Sequence, residues 1–148
     1  MILLLCSLSV ALADETVPVD ALPAPVTATL ARQWPTAHAE SASRDGDELE
    51  VLLADGARRF EAILKPDGSW LETEERVEPS ALPQIVRTAA ESRGRVVRAE
   101  VRTTPDGKVD YEVVVHAKGK DLEVHIDGAG IVAPAADAAD EERDRDHD

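Results

Sequence analysis

Paired carboxylates are the residues of this chain best placed to do chemistry. Asp55-Gly56 has the form of a two-residue hairpin turn. Read outward from that turn, Glu50 is expected opposite Glu61. A shift of 62 residues along the chain then sets Glu112 opposite Glu123 and Asp110 opposite His125. Like charges facing each other across strands cost roughly a few tenths of a kcal/mol. A sequence that places such a pair twice can use it to hold a divalent cation or a basic partner. The plainer reading leaves both pairs solvated, because exposed charges are cheaply screened. His116 and His125 match no compact metal motif. No metal ligand is therefore assigned, and a divalent cation stays the alternative to a macromolecular partner.

Catalysis is not expected. The sequence holds no Gly-x-Ser-x-Gly, and Ser69 and Ser80 have no histidine near them. No nucleophile, base and orienting group come together. Asp-rich turns could position carboxylates, but turns use Asp for backbone reasons in any case. No cofactor is implied.

The 148 residues carry a formal net charge of −14. That balance argues against nucleic acid, whose phosphates would be repelled, and against anionic lipid surfaces. Residues 1–13 form an apolar, uncharged run ending in Ala11-Leu12-Ala13 before Asp14. They read as a cleaved secretory signal, too short to span a bilayer as a helix, and no stable membrane anchor is expected. Cys6 is the only cysteine and lies inside that run, with Leu5 before it rather than the small residue that lipidation needs. The mature chain would then have no disulfide and no Cys-based metal site. A periplasmic or secreted bacterial location follows.

The elements that must position these carboxylates show an internal echo. Val77 to Val86 echoes Val17 to Val26, a spacing of 60 residues, and both stretches contain Ala-Leu-Pro. Tyr111-Glu112-Val113 echoes Leu49-Glu50-Val51, and Leu122-Glu123-Val124 echoes Phe60-Glu61-Ala62, each at 62 residues. In each half a helix is expected first, capped by Asp20 or by Ser80 with Pro83 in the first turn. Val26, Leu30 and Ala31 form one apolar stripe; Ile85, Val86, Ala89 and Ala90 form the other.

The period then changes to two. Leu49, Val51 and Leu53, then Phe60, Ala62 and Leu64, face inward in the first half. Val97, Ala99 and Val101, then Tyr111, Val113 and Val115, then Leu122, Val124 and Ile126, do so in the second. Such alternation means antiparallel strands with one dry and one wet face. Asp-Gly, Pro-Asp-Gly and Lys-Gly turns separate the strands. The fold expected is α+β: two tandem repeats of a helix plus an antiparallel β-meander, about 17–76 and 77–132, forming one concave sheet with helices on one face. Residues 133–148, rich in Asp and Ala, are expected to be a disordered acidic tail.

Certain motifs, in their order, also carry a family resemblance. They are Ala21-Leu22-Pro23, Trp34-Pro35, Asp67-Gly68-Ser69-Trp70-Leu71-Glu72-Thr73, Ala81-Leu82-Pro83, Tyr111-Glu112-Val113, and Asp127-Gly128 with Gly130. The chain from Val17 to Val132 resembles the PepSY-like family, which is similar to a secreted β-lactamase-inhibitor protein. The resemblance implies an exported bacterial protein of tandem helix-plus-sheet fold. It also implies a sheet face that grips an enzyme while a turn inserts an acidic residue, for which Asp45, Asp47 and Asp55 are the candidates.

Trp70 follows a turn and reads either as an exposed anchor on the wet face or as core where the repeats join. The function expected is non-catalytic binding of a protein or peptide with a basic surface. The residues expected to carry it are Glu50, Glu61, Glu112, Glu123 and Trp70, with Asp45, Asp47 and Asp55 at the tips.

Overall fold

Alternating apolar residues dictate strands along most of the chain, and the computed structural model, which describes residues 15–133, bears this out locally. The strands are β1 (Glu15–Val17), β2 (His38–Asp45), β3 (Glu48–Asp55), β4 (Arg58–Leu64), β5 (Trp70–Val77), β6 (Arg95–Thr103), β7 (Val109–Ala117) and β8 (Lys120–Asp127). Two helices accompany them, α1 (Ala24–Gln33) and α2 (Gln84–Glu91). The expected signal segment with Cys6, and the acidic tail beyond Ala133, lie outside the described residues. No helix among the described residues is long and apolar enough to cross a membrane.

The expectation of two tandem helix-plus-meander repeats is overturned. The eight strands form a single antiparallel sheet in the order β1-β2-β3-β4-β5-β6-β7-β8. The repeat reading gave the helices too much weight. They span only 10 and 8 residues.

Both helices start later than the capping signals suggested. Asp20 and Ser80 sit instead in single 3-10 turns, Val19–Ala21 and Pro79–Ala81. Pro23 and Pro83 are the residues at the helix starts, neither with a side-chain cap. A proline's fixed φ suits a helix start, and the N–H it lacks would have no partner there.

The described residues fall into two compact units, one ending at Thr73 and the other beginning at Glu74. The core of the first gathers Val26 and Leu30 of α1 with Leu49, Val51, Leu53, Phe60, Ala62 and Leu64 of the sheet. Trp34 and Trp70 pack against it. The core of the second gathers Val86 and Ala90 of α2 with Ala99, Tyr111, Val113, Val115 and Ile126. Several positions read as inward are not. Val97 falls in a bulge between Val96 and Arg98 and is exposed, as are Ala31, Ile85 and Leu122.

One close approach ties α1 to a turn within the first unit. Lys65 to Ser69 closes a Pro-Asp-Gly turn, with Gly68 N–H donating to Lys65 O at 2.9 Å. Gly68 adopts φ +85°, and a Cβ there would lie 2.6 Å from Pro25 O. Thr29 Oγ1 on α1 donates to Gly68 O at 2.8 Å in a buried bond.

Candidate functional site

Turn chemistry sets which side chains meet on the face of β6–β8 turned away from the core. Lys118 and Gly119 both take positive φ and form the two-residue loop between β7 and β8. Ala117 is thereby paired with Lys120, and the ladder runs on to Glu112 opposite His125 and Asp110 opposite Asp127. The expected pairing of Glu112 with Glu123 and of Asp110 with His125 is therefore corrected: Glu123 lies opposite Val114. Glu112 and Glu123 nevertheless share the face as diagonal neighbours. One donor atom from each of Glu112, Glu123 and His125 lies within 4.8 Å of the others.

A like-charge pair does stand opposite Glu112, on its other side: Glu100 of β6. Arg98 bridges the two. Its Nε is 3.5 Å from Glu100 Oε1 and its terminal nitrogen 3.5 Å from Glu112 Oε1. Around them Lys108 pairs with Asp110 at 2.8 Å, Arg102 with Glu74 at 3.4 Å, and His125 Nε2 lies 3.2 Å from Glu123 Oε1. His116 and Asp121 meet at 2.6 Å at the hairpin end.

The Glu112 side chain keeps only 17% of its exposure. Burial, then repulsion from Glu123 and Glu100, pushes its carboxyl above the ordinary glutamate value of 4.5; His125 and Arg102 oppose the shift. A raised folded-state value means that the protonated form is favoured on folding. Its stabilisation is complete below 4.5 and is lost as pH rises through the raised value. Glu112→Gln is thus expected to stabilise the protein near neutrality by about 0.2–1 kcal/mol, the scale of a cross-strand charge pair. The gain should vanish below the ordinary glutamate value, which urea unfolding at acid and neutral pH would check.

In the first unit the corresponding expectation is also corrected. Gly56 with φ +62° and Ala57 form the loop, so Asp55 pairs with Arg58. Glu50 then lies opposite Ile63, and Glu61 opposite Leu52. Ser43 Oγ donates to Glu50 Oε2 at 3.3 Å. Ile63 and Ala54, on the side read as wet, are buried. Glu50 and Glu61 therefore flank an apolar strip instead of forming a pair.

Of the tip candidates, Asp47 occupies the β2–β3 loop beside Gly46, its side chain 82% exposed and 3.6 Å from Lys65 Nζ. Asp45 and Asp55 are the last residues of their strands. Trp70 is half-buried and packs edge-to-face on Trp34 at 5.1 Å, against the first unit's core. His125, Glu100 and Arg98 were missed as members of the site. Their outward parity was legible, but grouping them required the register.

No family model matches the chain, and no curated protein does so. Solved structures do. A DUF2874 family protein from Bacteroides ovatus ATCC 8483 superposes with a TM-score of 0.67 at 18% identity, covering 76% of this chain and 84% of its own. A Bacteroides eggerthii DSM 20697 protein provisionally assigned to the periplasm gives 0.67 at 18%, covering 76% and 86%. A BLIP-like protein from Bacteroides fragilis NCTC 9343 gives 0.66 at 19%, covering 87% of this chain and 93% of its own. At such identity the likeness shows the fold, which is BLIP-like, and the PepSY resemblance is not among what it shows.

Proposed function

We propose that this chain is a non-catalytic binding protein, working outside the cytoplasm, that takes a protein or peptide with a basic surface on the β6–β8 face. One observation carries the reading. Glu100, Asp110, Glu112 and Glu123 share that face, and the Glu112 carboxyl is held there above its ordinary value by burial and by its neighbours' charge. A cationic side chain arriving at this spot would relieve the repulsion instead of adding to it. Complementary charge of this kind governs encounter rate and partner choice more than raw affinity. The likeness to a BLIP-like protein and to one provisionally assigned to the periplasm supports an exported binding role, and an enzyme is the partner class it favours.

The test is surface plasmon resonance of the immobilised chain against a panel of β-lactamases and basic exported proteins, with inhibition assays run alongside. At least one saturable interaction should appear whose association slows as salt rises. Binding that ignores salt, or a panel that gives none, would count against the reading.

A further inference from the structure

Three metal-competent side chains lie together on the β7–β8 hairpin, and the ladder itself sets their places. Glu112 and His125 are directly opposed across the two strands, and Glu123 precedes His125 by two residues on the same face. Their donor atoms lie within 4.8 Å of one another. Around a tetrahedral zinc ion with bonds of about 2.0–2.2 Å, ligand atoms stand about 3.3–3.5 Å apart. Glu123 and His125 are exposed, so their side chains have room to turn toward that spacing.

We propose that Glu112, Glu123 and His125 form a binding site for a divalent transition-metal ion of zinc type, with solvent completing the coordination. The ion and a basic partner would draw on the same two carboxylates, and the donor geometry alone carries the ion reading. The donor set chooses the class of ion. Two carboxylates balance a double positive charge, and an imidazole nitrogen favours zinc over magnesium or calcium, which prefer all-oxygen sites. Arg98 lies 3.5 Å from Glu112 Oε1, so Oε2 is the oxygen the ion would take. All three residues lie on the one β7–β8 hairpin, so the site needs no residue from elsewhere in the chain.

Isothermal titration calorimetry of zinc chloride into the untagged full chain tests this. One ion should bind per chain with a dissociation constant on the order of micromolar. His125→Ala and Glu123→Gln should each weaken binding about tenfold or more, as expected for loss of one ligand in three. His38→Ala, at a histidine whose carboxylate neighbour Glu40 is 3.9 Å away in the first unit, should leave binding unchanged, and magnesium should give no heat. A readout on the unaltered chain guards against a misfolded variant: the His125 ring protons should shift in step with added zinc. Absent heat, binding undiminished in His125→Ala, or His125 resonances that stay fixed while zinc binds would each overturn the proposal.

Discussion

Phe60→Ala should remove about 3–5 kcal/mol of stability, the range for truncating a buried aromatic side chain. Phe60 keeps 2% of its exposure and is the largest fully buried side chain described. It sits where the first unit's sheet meets the residues that follow α1. Trp34 packs against it at 5.6 Å between centroids, with planes at 62°, and the Arg58 guanidinium lies 4.2 Å from its ring centre. Truncation therefore empties a cavity and also removes an edge-to-face contact and a cation–π contact. Native proteins are stable by only about 5–15 kcal/mol, so the loss should leave the first unit marginal. Trp34 and Trp70 report on this cluster, so their fluorescence during urea unfolding is a direct readout. Phe60→Leu, which keeps most of the volume, should recover much of the loss. A cost below about 1 kcal/mol for the alanine variant would mean the core is centred elsewhere.

Gly68→Ala should cost about 2–5 kcal/mol, from a left-handed backbone and a collision acting together. The added methyl would meet Pro25 O at 2.6 Å and Pro25 C at 2.8 Å, both backbone atoms that no rotamer change can move. The turn would have to withdraw from α1, stretching the buried Thr29 to Gly68 hydrogen bond. Gly107 provides the control. It sits in the Pro-Asp-Gly turn between β6 and β7 with φ +82°, but a Cβ there would meet nothing within 4 Å. Gly107→Ala should cost only the backbone preference, about 1–2 kcal/mol. The difference between the two variants isolates the close approach. Equal losses from thermal unfolding would remove the role assigned to it.

The two hairpins show why much of the sheet was legible in the sequence and why the site was not. Alternation placed Leu49, Val51, Leu53, Phe60, Tyr111 and Val113 inward, and all are buried. A two-residue periodicity cannot see a loop displaced by one residue, because each strand partner then moves by two places and keeps its face. Asp55-Gly56 and Gly56-Ala57 were thus equivalent to the apolar pattern, and only backbone φ at the turn separates them. That single displacement moved Glu112 from Glu123 to His125 and concealed a candidate ligand. Val97 escaped because a bulge adds a residue without a signature in side-chain type. The repeat expectation failed for another reason. Local echoes around Ala-Leu-Pro show that short motifs recur, not that each recurrence opens a separate helix-plus-meander unit.

Whether the β6–β8 face is where a partner binds is decided most directly by reversing its charge. Association rates of a partner from the panel would be measured for the parent chain and for Glu112→Lys with Glu123→Lys. A second variant would make the same charge change away from that face, at exposed Glu78 and Glu91. At low salt the first pair should slow association about tenfold or more, the second much less, and the gap should narrow as salt screens the charges. Equal slowing by both pairs, or parent-like binding by Glu112→Lys with Glu123→Lys, would contradict it.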